Sequence, residues 1–134
     1  MSTKMFVNLP VSDLNKSMTF YKALGFTFNP QFTDDTAACM VISEHNYAML
    51  LTHDKWKQFS SKPVPDAHKT TGVLIALALD STTAVDTMVD KAVQAGGKEP
   101  RPKQDYGFMV QRTFEDPDGH TWEPFFMDPA HVQE

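Results

Sequence analysis

The pattern that most constrains this chain is a strand, a helix and further strands, written twice. A β-prone segment at 6–11 precedes an apolar stripe with helical spacing that ends at Gly25. The segment 73–79 precedes a second helical stripe that ends at Gly96 and Gly97. Strand candidates follow each helix. Because neither half is long enough to bury its own sheet well, we expect the two halves to share one core in an α+β fold.

The composition along the chain predicts the boundaries of these halves. Within a single domain of 134 residues, we place module one at 5–53 and module two at 72–127. A segment rich in Lys and Pro at 54–71 separates them and is interpreted as a linker, a lid or a short helix. Residues 128–134 form a C-terminal tail. The segment 73–79 is apolar on both faces, which predicts a central strand.

Charge and cysteine content exclude several classes of protein. The 12 Lys and Arg against 17 Asp and Glu leave a formal charge of -5, which argues against nucleic acid or anionic membrane as a partner. No apolar run is long enough for a membrane span, and the start lacks the features of a signal peptide. Cys39 is the single cysteine and lies in an apolar run, so we expect a buried, unreactive thiol and a cytoplasmic protein.

Three motifs carry a resemblance to a known family. They are VSDL at 11–14, FYKALGF at 20–26 and FEDPDGHTWE at 114–123. Together they resemble the vicinal oxygen chelate superfamily, which includes glyoxalase I, bleomycin-resistance proteins, extradiol dioxygenases and fosfomycin-resistance enzymes. The resemblance implies two βαβββ modules, mixed sheets rolled into an open cup, and a homodimer. A fold of this kind hosts many activities, so the function must be argued from the site.

The resemblance also implies where a metal would be held. In metal-using members, the ligands come from the first and the last strand of each module, and these places correspond to Phe6, Leu50, Leu74 and Glu123. Only Glu123 has a lone pair to donate, since phenyl and isobutyl groups have none. We therefore predict that the protein holds no metal and no other cofactor, with a divalent cation as the alternative.

The histidines do not restore a metal site in this interpretation. His120 and Glu123 are three residues apart, so in an extended strand they point to opposite faces. His53 is likewise separated from Leu50 by an odd number of residues. We interpret all five histidines as exposed side chains without metal: His45, His53, His68, His120 and His131.

Strand alternation from the four positions predicts the lining of the cup. It selects apolar side chains with one amide, one hydroxyl and one carboxylate, a composition typical of a small-molecule pocket. After the Pro-rich connection, Phe108 and Tyr106 are candidates for a flap over the cup mouth. The predicted ligand-binding residues are Phe6, Asn8, Leu50, Thr52, Leu74, Ala76, Phe108, Glu123 and Phe125.

Glu123 is the candidate catalytic residue. Among Phe6, Leu50 and Leu74 its carboxylate would be desolvated, which favours a general base or a hydrogen-bond donor. The alternative is a structural carboxylate that is bonded to Asn8 or paired with Arg112. Arg112 itself is interpreted as a surface residue of a strand.

Three functional hypotheses follow. The first is a metal-free homodimer that binds a small, partly apolar or aromatic molecule in the cup, as bleomycin-resistance proteins do by sequestration. The second is an enzyme, either a glyoxalase-like lyase or isomerase or an extradiol-type dioxygenase, that uses Glu123 and non-standard ligands. The third is a dimeric interaction module with a solid core.

Overall fold

The chain divides into two compact units of nearly equal length, Met1–Asp66 and Ala67–Glu134, called here the first and the second unit. The computed structural model describes residues 3–131, so the last three residues of the predicted tail lie outside the described residues. Each unit contains one mixed sheet and few helices, which confirms the α+β fold class.

The first unit has the predicted order of strand, helix and three strands. Its sheet runs β1-β4-β3-β2, with β1 parallel to β4 and the other pairs antiparallel. A short helix, α2, follows directly at His53–Trp56, and a short helix was one of the three interpretations of the segment 54–71. The other elements are β1 (Met5–Val11), α1 (Leu14–Ala23), β2 (Thr27–Asn29), β3 (Ala37–Val41) and β4 (Asn46–Thr52).

Local sequence signals explain where α1 begins and ends. The Asp13 carboxylate accepts a hydrogen bond from the backbone N–H of Lys16 at 3.0 Å, which caps the first turn. Gly25 follows the last turn with a φ of 102°, a left-handed conformation that favours glycine. The buried face of the helix includes Phe20 and Tyr21, so the predicted apolar stripe is confirmed.

The second unit repeats this plan. Its sheet runs β5-β9-β7-β6, and β8 also pairs with β9. Strands β7 and β8 keep a single register along β9, so they are two parts of one interrupted strand and the unit is also βαβββ. The elements are β5 (Leu74–Ala78), α3 (Thr82–Gln94), β6 (Gln104–Asp105), β7 (Met109–Gln111), β8 (Phe114–Glu115) and β9 (Thr121–Met127).

The position of β5 corrects one prediction. In the part of the chain that the structure describes, β5 pairs only with β9, so it is an edge strand and not a central strand. Its apolar residues on the second face remain exposed, with Leu74 56% exposed. The strand β6 was not predicted, because two residues between Pro102 and Tyr106 give no usable alternation.

Aromatic and aliphatic side chains form the core under each helix. The rings of Phe114 and Trp122 stack at 6.2 Å, and the side chains of Val85 and Val89 on α3 are fully buried. Trp122 is therefore on the helix side of its sheet. Cys39 is a free, buried thiol, and burial raises its pKa. None of the helices within residues 3–131 has the length and apolarity needed to cross a membrane.

Candidate functional site

The helix caps show which positions of the two units are equivalent. Asp13 caps α1, and the Ser81 hydroxyl caps α3 by accepting the backbone N–H of Ala84 at 3.0 Å. Phe6 and Leu74 each stand seven residues before their cap. The first strands of the two units therefore correspond residue by residue.

The sheet registers extend this equivalence to the last strands. Asn8 and Ala76, two residues after Phe6 and Leu74, hold equivalent places. Asn8 lies opposite Met49 in the parallel pair β1 and β4, and Ala76 lies opposite Glu123 in the parallel pair β5 and β9. Residues that face each other across a ladder point to the same side of the sheet. Met49 is therefore the counterpart of Glu123.

This register corrects two of the predicted lining residues. Leu50 lies opposite Leu9, and both side chains are buried on the face that α1 covers, away from Phe6 and Asn8. Thr52 lies on that same face, and its hydroxyl caps α2 by accepting the N–H of Lys55. The prediction that these four residues share a face is wrong. The sequence analysis assigned the cup-facing residues of β4 one position too late in the strand. A shift of one residue moves every side chain of a strand to the opposite face of the sheet.

The predicted set in the second unit does share one face. Leu74 pairs with Thr121, Ala76 with Glu123, and Ala78 with Phe125, so alternation along β5 and β9 is confirmed. Whether Leu74, Ala76, Glu123 and Phe125 contact a ligand stays a prediction.

A cavity of about 610 Å³ lies on this face of the second sheet. Polar and apolar groups alternate around it, and all of them belong to the second unit. Its lining residues are Thr71, Gly72, Val73, Leu74, Pro100, Arg101, Thr113, Glu115, Thr121 and Glu123.

Only Leu74 and Glu123 of the ten lining residues were predicted, and two of the eight that were missed, Thr113 and Glu115, could have been found from the strand pairing. Glu115 lies opposite Thr121, and Thr113, two residues earlier, continues the same ladder to a place opposite Glu123. The residues DPDG at 116–119 are typical of a hairpin turn, and counting outward from that turn would have paired both residues with β9. Thr113 is only 5% exposed.

The Glu123 carboxylate is half-buried at the edge of this cavity. Within residues 3–131 it takes part in no hydrogen bond or ion pair, and the suggested partner Arg112 lies one strand residue from Thr113, on the other face. The alternative that Glu123 pairs with Arg112 is therefore wrong. The suggested bond to Asn8 joins the two units and stays a prediction.

Arg112 is a largely buried cation and not a surface residue, which corrects its interpretation. Its Nε and Nη2 atoms donate to both oxygens of Glu99 at 2.9 Å, and Nη1 lies 3.0 Å from Asp86 Oδ1 and 3.1 Å from Asp90 Oδ1. Only 12% of the side chain is exposed. These contacts tie α3 to the interruption between β7 and β8.

The network also shifts the pKa values of its members. Burial acts to raise the pKa of Asp86, but hydrogen bonds from Arg112 and Lys103 outweigh it and leave that pKa below its ordinary value. The hydrogen bonds from Arg112 lower the pKa of Glu99. The hydrogen bonds that Arg112 donates to Glu99 in turn raise the pKa of Arg112. The arrangement is a structural ion cluster on the helix side of the sheet.

The donors at the implied metal positions do not fit a divalent cation. Phe6 and Leu74 offer no lone pair, and Met49, which replaces Leu50 at the third place, offers only a weak thioether. Within residues 3–131, His, Cys, Asp and Glu side chains form no group of three or more that could hold a metal ion. A lone Glu123 carboxylate is too few ligands for such an ion.

The histidines fall in different environments. His120 is buried, which corrects its interpretation as an exposed side chain. It belongs to the turn that Asp116 closes, because one Asp116 oxygen accepts the backbone N–H groups of Asp118 and His120. His53 and His68 are exposed as predicted, His45 is half-buried, and the side chain of His131 is outside the described part of the chain.

Phe108 and Tyr106 lie in the loop between β6 and β7. Their ring centroids are 6.4 Å apart, and both rings are exposed. Gly107 between them has a φ of 82° and donates its N–H to Asp105. The role of Phe108 in ligand binding, and that of the pair as a flap, stay predictions.

The chain belongs to the Glyoxalase/Bleomycin resistance protein/Dioxygenase superfamily, whose family model matches residues 5–123. The match covers both units. It confirms the resemblance drawn from the three sequence motifs. No curated protein matches the chain.

Solved structures agree with this assignment. The hypothetical protein SA1046 from S. aureus is 29% identical, with 94% of each chain covered and a TM-score of 0.77. A family enzyme from Burkholderia phytofirmans PsJN is 17% identical over 94% of this chain and 99% of its own, with a TM-score of 0.77. The fosfomycin resistance protein FosX from Mesorhizobium loti is 12% identical over 97% and 96%, with a TM-score of 0.70. The last two comparisons show a shared fold alone.

Proposed function

We propose that this protein binds a small, partly apolar or aromatic molecule and does so without a metal ion. One observation carries the proposal: side chains without a hard donor stand at three of the four places where the superfamily implies metal ligands. Phe6, Met49 and Leu74 occupy these places, and Glu123 occupies the fourth. Side chains of this kind favour recognition by shape and apolar contact over chelation.

The cavity of the second unit supports this proposal. Its volume of about 610 Å³ is in the range usual for small-molecule sites. Val73, Leu74 and Pro100 supply apolar contact area, while polar side chains such as Thr113 and Glu123 can orient a ligand. A lining that combines apolar surface with polar groups suits a partly apolar molecule.

The proposal includes a homodimer in the cytoplasm. The edge strands β1 and β5 each carry exposed apolar side chains, among them Met5, Phe6 and Leu74, and Val73 directly before β5 is exposed as well. Pairing with a second copy would cover such an edge and satisfy its free backbone groups. Light scattering coupled to size exclusion should give twice the chain mass, and a monomer would contradict this part. The free thiol of Cys39 fits a reducing compartment.

Metal analysis and ligand titration test the proposal together. Protein purified without chelator should contain no stoichiometric transition metal, and amide NMR shifts on adding small aromatic compounds should map to the cavity residues. Leu74→Trp should weaken this binding by filling the cavity. Val93→Trp, on an exposed apolar residue of α3 outside the cavity, is the matched control. Stoichiometric Ni, Zn, Mn or Fe would contradict the proposal. Amide NMR shifts that map to residues outside the cavity would contradict it as well.

The enzyme hypothesis depends on Glu123 and can be tested with the same protein samples. Its carboxylate has no protein partner within residues 3–131 and lies beside a cavity, as a general base must. A panel of α-hydroxy-carbonyl and catechol compounds should show no turnover above background. Turnover that Glu123→Gln abolishes would instead favour a glyoxalase-like lyase or isomerase, or an extradiol-type dioxygenase.

A further inference from the structure

We propose that the cavity of the second unit selects organic cations, with Glu115 and Glu123 receiving the ammonium group of the ligand. This inference rests on the proposed function, since it requires that the site binds a small molecule. It adds a prediction of the charge of that molecule. The hydrocarbon side chains at the metal positions implied by the superfamily do not determine this charge.

The two carboxylates are near neighbours on one open face. Glu115 pairs with Thr121, and Glu123 stands two residues further along the same strand, so the two are diagonal neighbours across β8 and β9. Diagonal neighbours of an antiparallel pair have Cα atoms about 7–8 Å apart, and their Cβ atoms are somewhat closer. Side chains as long as glutamate can therefore converge on one ammonium group.

Neither carboxylate is neutralised by the protein. Within residues 3–131, no Lys, Arg or His nitrogen lies within ion-pair distance of Glu115 or Glu123. Arg101 is the one cation that lines the cavity, so the lining keeps a net charge of minus one. Lys98 bonds to Glu115 through the backbone only and is outside the lining.

The hydroxyl of Thr113 supplies a second, independent observation. This side chain is 95% buried, lines the cavity and has no hydrogen-bond partner among residues 3–131. The hydroxyl oxygen itself is not one of the fully buried atoms that lack a partner, so it is accessible from the cavity and free to accept a hydrogen bond from a ligand. A ligand N–H directed at Glu123 would reach the Thr113 oxygen as well, because the two residues lie opposite each other on the extended ladder.

The first unit provides an internal contrast. At the place equivalent to Glu123 it carries Met49, and the neighbouring residues on that strand face, Tyr47 and Leu51, carry no charge. The cation preference is therefore a property of the second unit only. The apolar part of the ligand would lie on Val73 and Leu74, which are exposed at the cavity rim.

Three probes of one shape and different charge test the inference. Benzylamine, benzyl alcohol and benzoate are titrated into the isotope-labelled full chain at neutral pH, and amide shifts of residues 113–123 are followed. Benzylamine should bind about tenfold more tightly than benzyl alcohol, which is the factor expected from about 1.4 kcal/mol of charge-assisted hydrogen bonding. Benzoate should bind most weakly of the three probes. Added salt should reduce the differences in affinity among the probes, because it screens the charges of the carboxylates.

Matched variants assign the effect to the carboxylates. Glu123→Gln and Glu115→Gln should each lower benzylamine affinity several-fold and leave benzyl alcohol unchanged. Thr113→Val should weaken benzylamine less. Glu44→Gln removes the same charge from an exposed turn of the first unit and should have no effect on either probe. The amide spectrum of each variant shows directly that it is folded.

The outcomes separate this inference from the proposed function. Equal affinity for benzylamine and benzyl alcohol at the cavity, or a preference that survives both glutamine variants, overturns the cation preference and leaves small-molecule binding intact. Absence of cavity shifts with all three probes overturns both. A tenfold preference that is lost in either glutamine variant supports the inference.

Discussion

Met49 and Glu123 hold the same place in two sheets of the same strand order, yet one is a thioether and the other a carboxylate. The difference extends beyond this position. The ion pairs of Arg112 and Lys103 with Asp86, Asp90 and Glu99 belong to the second unit, whereas α1 packs in the first unit through aromatic residues such as Phe20 and Tyr21. The two units thus share a backbone plan, and the helix of the second is also held by an ion cluster.

The largest expected effect tests the face assignment on which the comparison of Met49 with Glu123 depends. Leu50→Ala should lower the free energy of unfolding by about 3–4 kcal/mol, because it leaves a cavity in the buried face under α1. Met49→Ala, on the other face and half-buried, should cost about 1 kcal/mol. Denaturant unfolding measures both. Equal losses would mean that the register of β4 is misplaced and that Met49 is not the counterpart of Glu123.

Alanine substitutions at two glycines compare a turn of the first unit with a turn of the second. Gly119→Ala should lower the unfolding free energy by about 3 kcal/mol, since φ is 89° and the added Cβ would meet the backbone N of His68 at 2.7 Å. Gly25→Ala has a similar φ of 102° but open space around the new Cβ, so it should cost only about 1 kcal/mol. Thermal unfolding of both variants checks this. A Gly119→Ala protein as stable as Gly25→Ala would contradict the close approach.

Removal of the buried cation tests whether ions stabilise the second unit. Arg112→Met should cost about 2–3 kcal/mol, less than for a fully buried pair because its carboxylates are partly exposed. Arg101→Met removes an exposed cation without an ion pair and should change stability by less than about 0.5 kcal/mol. The denaturant midpoints of the two variants, each compared with that of the wild-type chain, measure these losses of stability. Similar small losses in both variants would remove the energetic contrast between the units.

The pH dependence of stability should reveal the same network by a smaller effect. Because the folded-state pKa values of Asp86 and Glu99 are lowered, their contribution is fully present above the ordinary values of 3.8 and 4.5. It is lost as the pH falls through the lower folded-state values. The stability difference between the wild-type chain and Arg112→Met should therefore shrink below about pH 4. A difference that stays constant from pH 7 to pH 3 would contradict this assignment.

The overall plan was predictable because its signals are local. Asp13 and Gly25 mark the ends of the first helix, and the alternation of β9 correctly placed Glu123 and Phe125 on one face. These features depend on a few neighbouring residues. Periodicity and capping residues therefore sufficed to predict a strand, a helix and further strands in each unit, whereas the full βαβββ plan, which includes β6, came from the family resemblance.

The errors arose where two strands had to be compared. The face of Leu50 depends on its register with β1, and the edge position of β5 depends on which strands pair with it. An apolar strand such as β5 has the same sequence pattern whether it lies at the edge of a sheet or in its centre. Likewise Thr113 becomes a site residue only when the strand after Arg112 is aligned with β9.

The tight approach of Gly119 to the backbone of Ala67 and His68 has a consequence for the cavity several residues away. The chain runs from this contact straight into residues 71–74, which form one rim of the cavity. The turn at 116–119 therefore lies directly against the backbone that leads into this rim. We expect a larger side chain at position 119 to displace residues 67–68, and with them the rim, without changing any lining residue.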